Sequence, residues 1–371
     1  MGNTPEASAN RRLGISLTSQ VIGNSLLPYQ QRTKVLLATV VFPESIHSQL
    51  YQILLVTQRS VELYCLIEGQ KHNTRYIPKP NTKIKAAVHS RESIRGNALI
   101  LYESDGCIHV IDVYSLRILH SLNSQTQDML CMISAAPDLL YVGHGTGVIK
   151  AWHISGEVPM HEFNAPGEVP PVVSLSYSHK HRVLVSGHEG EGPLRIYSTN
   201  ALGNSEPSLL WGLQGTADQL LVVEEKSFLV ALCRKFNRIH VWDFLTQTDL
   251  ISFEIPQLGE TKELGIHLEI IELKQNKDVL LVGLDDGCVL VSELELDTEN
   301  LSLTWTPQKK ISPKLNQEIY EEVCGVSFLG FNPHLDLLLI GNLASSLTVV
   351  SNFLYDSSHI DLFTSKEVPN N

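Results

Sequence analysis

Apolar residues along this chain come in short runs separated by polar or glycine-containing breaks, and the runs recur in a fixed order. An apolar run, a short break, a second apolar run, a Gly/Asp/Ser turn and a third, alternating run follow one another. The unit is complete in Asp128 to Ser134, Asp138 to His144, the turn Gly145 to Gly147 and Val148 to Ile154, with a weaker fourth run ending near Phe163. Period-two alternation bounded by turn formers, without helical periodicity, predicts strands. Three more units follow in Val172 to Tyr177, Arg182 to His188 and Leu194 to Ser198; in Gln219 to Val223, Ser227 to Cys233 and Arg238 to Asp243; and in His267 to Leu273, Asp278 to Leu284 and Cys288 to Leu294. Lys34 to Phe42, Ile84 to His89 and Val323 to Phe328 open the remaining three, for seven copies in all.

The third strand fixes the register. Its fourth positions are Tyr64, Ile111, Trp152, Tyr197, Trp242, Ser292 and Val350, separated by 47, 41, 45, 45, 50 and 58 residues. A four-stranded propeller blade repeats at roughly 40–45 residues, so the spacing predicts an all-β fold, a seven-bladed β-propeller of four-stranded antiparallel blades. Each blade has one apolar face it cannot bury alone, and closure into a ring leaves no exposed sheet edges. The propeller is expected over residues 34–364, between an N-terminal extension (1–33) and a short tail (365–371). Either Leu13 to Thr18 or His359 to Phe363 could supply the strand that closes the ring.

These third strands resemble those of the WD-repeat propeller family, over roughly Lys34 to Phe363. The best copy is Ile239 to Asp243, with a Trp242-Asp243 pair; Trp152-His153 departs by one letter, and the turns Asp105-Gly106 and Asp286-Gly287 also match. The family's Gly-His pair precedes the first strand of a blade, whereas Gly143-His144 and Gly187-His188 end second strands here. The family's buried tetrad of His, Ser or Thr, Asp and Trp is therefore not assembled, and apolar packing is expected to hold the blades instead. What the resemblance implies is scaffolding of multiprotein complexes.

Charge and composition narrow the class further. With 28 Lys and Arg against 40 Asp and Glu, the net charge of -12 argues against a nucleic-acid surface, which needs clustered cations. No apolar stretch reaches the ~20 residues of a membrane span. The segment Met1 to Gln20 lacks the apolar core of a secretory signal, which favours a cytoplasmic or nuclear location. The six cysteines are too far apart for zinc or redox pairs and read as buried free thiols.

Catalytic chemistry is not evident, and no cofactor, metal or small-molecule ligand is expected. Gly143 to Gly147 and Gly187 to Gly192 lack phosphate-loop spacing and read as hairpin turns. His179-Lys180-His181 has no further ligand at suitable spacing and reads as a solvated turn. Aligning second-strand ends brings Glu103, His144, His188, Arg234, Leu284 and Asn342 to comparable places around one mouth of the channel. Among these, Arg234, Lys235, Phe236 and Arg238 form a cationic turn with an aromatic in an acidic protein, residue types enriched at interaction hot spots. The expected function is a non-catalytic scaffold binding proteins or peptides; the alternative is a propeller enzyme or small-ligand sensor using the channel mouth. Finally, Trp305 to Glu321 reads as a long connection before the seventh blade, with Thr306-Pro307 and Ser312-Pro313 as candidate phosphorylation sites near Lys309 and Lys314.

Overall fold

The computed structural model describes residues 20–22, 33–41, 51–66, 71–93, 96–123, 128–136, 138–164, 168–200, 206–256, 264–272, 277–297, 302–311, 325–343, 347–351 and 353. A short strand β1 (Gln20–Ile22) precedes blade 1, which is β2 (Val35–Val41), β3 (Gln52–Thr57), β4 (Val61–Cys65) and β5 (Lys71–Tyr76). Blade 2 is β6 (Ile84–Ser93), β7 (Gly96–Glu103), β8 (Cys107–Asp112) and β9 (Ile118–Asn123). Blade 3 is β10 (Met129–Ala136), β11 (Leu139–His144), β12 (Ile149–His153) and β13 (His161–Phe163). Blade 4 is β14 (Val172–Ser178), β15 (Val183–His188), β16 (Leu194–Ser198) and β17 (Ser208–Leu210). Blade 5 is β18 (Gln219–Val223), β19 (Phe228–Cys233), β20 (Arg238–Asp243) and β21 (Thr248–Glu254). Blade 6 is β22 (Gly265–Glu272), β23 (Lys277–Leu284), β24 (Val289–Asp297) and β25 (Ser302–Ile311). Blade 7 is β26 (Val326–Asn332), β27 (Leu337–Asn342) and β28 (Leu347–Ser351), completed by β1.

All seven sheets are four-stranded and antiparallel, and the only helical element among the described residues is a 3-10 turn at Arg234–Phe236. The seventh blade joins both ends of the chain: Gln20, Val21 and Ile22 pair with Val349, Thr348 and Leu347. The two closing segments expected from the sequence, Leu13 to Thr18 and His359 to Phe363, lie outside the described residues.

Strand position within a blade decides composition. Successive side chains of a strand point to opposite faces, and each blade face meets a neighbouring blade. On β23, Leu280, Val282 and Leu284 pack in the cluster shared with blade 5, while Val279 and Leu281 pack in the cluster shared with blade 7. Second strands are therefore largely apolar on both faces, with polar residues mostly at their ends; β19 and β27 are buried throughout. Fourth strands lie at the circumference and are largely exposed, as in β9 and β21. The core is accordingly divided into seven clusters, one between each pair of successive blades.

A glycine belt sets how closely blades approach. Gly143, Gly283 and Gly341 each stand next to last in a second strand, and a Cβ there would meet Val172, Val326 and Val35 respectively. Those valines open the first strand of the following blade and are fully buried. Between blades 5 and 6 the pair is inverted. Leu232 takes the second-strand place, and Gly265 opens β22, where a Cβ would meet Ile255 Cδ1 first and Leu232 Cδ1 at 3.5 Å.

Side chains of the inner strands also bind the next blade's backbone. Cys131 Sγ donates to Val172 O (3.4 Å), Ser174 Oγ to Ala217 O (2.6 Å) and Ser327 Oγ to Val35 O (2.9 Å). The Gln219 amide both donates to Leu268 O and accepts from Leu268 N, at 2.9 and 2.8 Å.

One expectation is corrected. Trp305 to Ile311 is not part of a connecting loop; it belongs to β25, where Thr306 pairs with Glu293 and Pro307 with Ser292 beside a register shift. Proline is tolerated there because β25 is an outer edge strand whose second side needs no donor. Thr306 is exposed on that edge, and Ser312 lies outside the described residues.

Candidate protein interface around blade 5

The turns between second and third strands share one backbone plan. Gly106, Gly147, Asn237 and Gly287 donate their N–H to the carbonyls of Glu103, His144, Arg234 and Leu284, three residues earlier, at 3.0–3.1 Å. Each donor residue has positive φ (91°, 80°, 50° and 83°), which glycine adopts freely and asparagine tolerates. The residue after the second strand then binds the segment entering the first strand: Ser104 N–H to Lys83 O, Gly145 to Asp128 O, Glu189 to Pro171 O, Asp285 to Leu264 O and Leu343 to Gly325 O. In blade 5 a carboxylate takes the carbonyl's place, Asp218 Oδ2 accepting from Arg234 N–H at 2.8 Å. These turns and the incoming segments form one face of the ring.

Turn equivalence does not mean equal exposure. Glu103 is 0% exposed, His144 1%, His188 8% and Asn342 7%. Glu103 accepts from the Tyr76 hydroxyl of the preceding blade and from Thr82 Oγ1 (3.1 Å), and His109 Nε2 lies 3.9 Å away. His144 Nδ1 bonds Asp128 Oδ1 at 3.0 Å. His188 bonds Ser186 Oγ through Nε2 and Pro170 O through Nδ1, both at 2.9 Å. Burial pulls the His188 pKa down to about 4 against the Pro170 bond, so the imidazole is neutral at ordinary pH and serves as a hydrogen-bonded brace. These four side chains are buried beneath the mouth, where Glu103, His144 and His188 hold their turns to the segments beside them.

Arg234 to Arg238 is different. Arg234, Lys235 and Phe236 are all exposed, Phe236 by 41%. Lys235 Nζ stands 5.1 Å from the centre of the Phe236 ring, a cation over an aromatic face. Phe236 packs over Gly215, where a Cβ would lie 2.8 Å from ring carbon Cε2. The Arg234 guanidinium reaches blade 6, donating to Ile266 O at 2.9 Å, and Asn237 Oδ1 accepts from Gly265 N–H at 2.8 Å. Arg238 pairs with Glu254 at 3.3 Å. The turn is thus anchored through its backbone, Asn237 and the Arg234 guanidinium, while Lys235 and Phe236 are presented to solvent.

Trp211 was not singled out in the sequence. It is 65% exposed on the segment that carries Gly215, and its carbonyl accepts from the buried Trp242 Nε1 at 3.2 Å. A lone Trp after a weak fourth strand gives no periodic signal; only its exposure as a large aromatic marks it.

His179 and Lys180 donate their backbone N–H groups to the Glu224 carboxylate of the next blade, so this segment is a turn tied between blades. Among the described residues no cluster of three or more His, Cys, Asp or Glu is arranged to hold a metal, and no helix is long and apolar enough to cross a membrane.

No family model matches the chain, and no curated protein is significantly similar to it in sequence. Among solved structures 1444 chains match, a breadth that ties the fold to no single job. One is a chain of the crystal structure of the mitotic checkpoint complex, with a TM-score of 0.63, 14% identity, and coverage of 92% of this chain and 96% of that one. At that identity the likeness is one of fold: the chain is a seven-bladed β-propeller.

Proposed function

We propose that the protein is a non-catalytic scaffold of the cytoplasm or nucleus, a WD-repeat-like propeller with degenerate repeats that docks another protein beside blade 5. The observation that carries this reading is the anchored turn Arg234 to Arg238, which presents Lys235 and Phe236 to solvent on a chain of net charge -12. Aromatic residues and Arg are enriched at the energetic centres of interfaces, and a local cationic patch on an acidic protein selects an acidic segment bearing an apolar anchor. The similar chain comes from a structure of a multiprotein complex, which agrees with a scaffold role.

Replacing Arg234, Lys235 and Phe236 together by alanine is expected to weaken partner binding at least tenfold, about 1.4 kcal/mol. The measurement is quantitative co-purification of the tagged full chain from its native cells, then titration of the purified partner, with circular dichroism to confirm folding. Trp211→Ala should weaken binding as well, and added salt should reduce the difference between wild type and triple variant. Unchanged partner affinity in the folded triple variant refutes the site, and recovery of the wild type only as a free monomer refutes the scaffold.

A further inference from the structure

Midway along the first strands, on the side of the central channel bounded by blades 6, 7, 1 and 2, lies a cavity of about 340 Å³. That is at the lower end of small-molecule sites, roughly 300–1,000 Å³. Its walls are mainly apolar, with Leu37 and Val40 from β2, Ala87 and Val88 from β6, and Phe328 and Phe331 from β26. Into this lining comes the carboxyl of Glu269 from β22, with His89 of β6 also at the wall. Glu269 is the one carboxylate among the first-strand side chains described, and it has no hydrogen bond or ion pair with any described residue. Glu269 is partly exposed to the cavity, whereas the fully buried carboxyl of Glu103 has Tyr76 and Thr82 as partners.

An unpaired carboxylate in an apolar recess is costly, so it either binds a proton or attracts a cation. We propose that the channel cavity is a binding site for a monocation carried on an apolar stem, an alkylammonium or a lysine-like side chain, with Glu269 as its counter-ion.

The surrounding charges support this assignment. Burial raises the Glu269 pKa to about 8, so an empty site is largely protonated at neutral pH and a bound cation displaces that proton. His267, on the same strand, is lowered to about 4 by burial, with Arg234 and Lys34 adding to the effect; it is neutral and does not supply the missing cation. His89 is the titratable group contributed by β6, and the lining from β2, β26 and β27 is uncharged. The apolar walls supply contact for a stem, and the protein's net charge of -12 favours cation entry.

The test uses the full chain, wild type and Glu269→Gln, titrated with n-pentylammonium and with n-pentanol as the neutral counterpart, at pH 6 and pH 9. The ammonium, with a pKa like that of lysine near 10.4, stays charged at both. The expected result is pentylammonium binding at least tenfold tighter at pH 9 than at pH 6, abolished or pH-independent in Glu269→Gln, and pentanol binding indifferent to both. A lysine-containing pentapeptide and its norleucine analogue distinguish the sources: competition by the first alone assigns the site to a side chain of a partner, and no competition by either assigns it to a free amine. Equal affinity of the two variants for pentylammonium, or equal affinity of wild type for ammonium and alcohol, overturns the proposal. As a measurement on the protein without ligand, the unfolding midpoint of Glu269→Gln should exceed that of wild type at pH 9 and converge with it near pH 4. A carboxyl with a raised folded-state pKa destabilises the fold increasingly as pH climbs from its unfolded value through about 8. Identical midpoints at pH 9 would show a solvated carboxyl and equally overturn it.

Discussion

Trp242→Ala is expected to lower the free energy of unfolding by ~3–5 kcal/mol, the usual cost of truncating a buried Trp. Trp242 is fully buried between blades 4 and 5, among Leu220, Leu229 and Phe244. It stacks on the His240 imidazole, with ring centres 4.0 Å apart and planes within 4°, and its indole N–H satisfies the Trp211 carbonyl. Alanine removes all three contributions and opens a cavity at a place where two rigid sheets cannot easily close up. His240 is held from its other side by Asp249 (2.8 Å), so it is not free to fill the space. Guanidinium unfolding monitored by circular dichroism measures the loss, and Trp211→Ala is the internal control. That side chain is exposed and leaves the carbonyl in place, so it should cost less than about 0.5 kcal/mol. A loss below about 1 kcal/mol for Trp242→Ala would mean that the blade 4–5 contact does not depend on the indole.

The architecture was legible because each strand position has its own physical signature. Third strands alternate, second strands are largely apolar on both faces, and turns must supply positive φ, so Gly106, Gly147 and Gly287 mark the same place in blades 2, 3 and 6. What was not legible depends on partners distant in the chain. Glu103 and His144 look like turn residues exposed to solvent, yet Glu103 is bound by Tyr76, 27 residues earlier in another blade. Thr306-Pro307 resembles a loop because proline breaks central strands, and only its place at the rim permits it within β25. Glu269 sits in an ordinary alternating strand, and nothing local shows that its carboxyl has no partner among the described residues. Ring closure by three residues, Gln20–Ile22, is too short to carry a pattern at all. The pairs Gly143-His144 and Gly187-His188, compared in the sequence with a family signature, have a different role: their glycines admit the next blade and their histidines brace the turn.

That role of glycine can be tested by moving the space rather than removing it. A Cβ on Gly283 would lie 2.5 Å from Val326 Cγ1 and 2.8 Å from Val326 Cβ, both inside any real contact distance. Neither strand can retreat, because β23 is paired on both sides and β26 packs on the neighbouring inner strands. Gly283→Ala should therefore destabilise by about 3 kcal/mol, the upper part of the ~1–3 kcal/mol range for overpacking. Val326→Gly alone should cost a similar amount through lost burial and greater backbone freedom in the unfolded chain. The double variant moves the glycine to the start of the first strand, the place Gly265 occupies between blades 5 and 6. It should be at least 1.5 kcal/mol more stable than the sum of the two single effects predicts, a coupling within the range for residues in contact. Chemical denaturation of the four proteins closes the cycle. Additivity within about 0.5 kcal/mol would show that the blades are not held apart or together at these glycines, and that the recurrent Gly–Val contact is incidental to the ring.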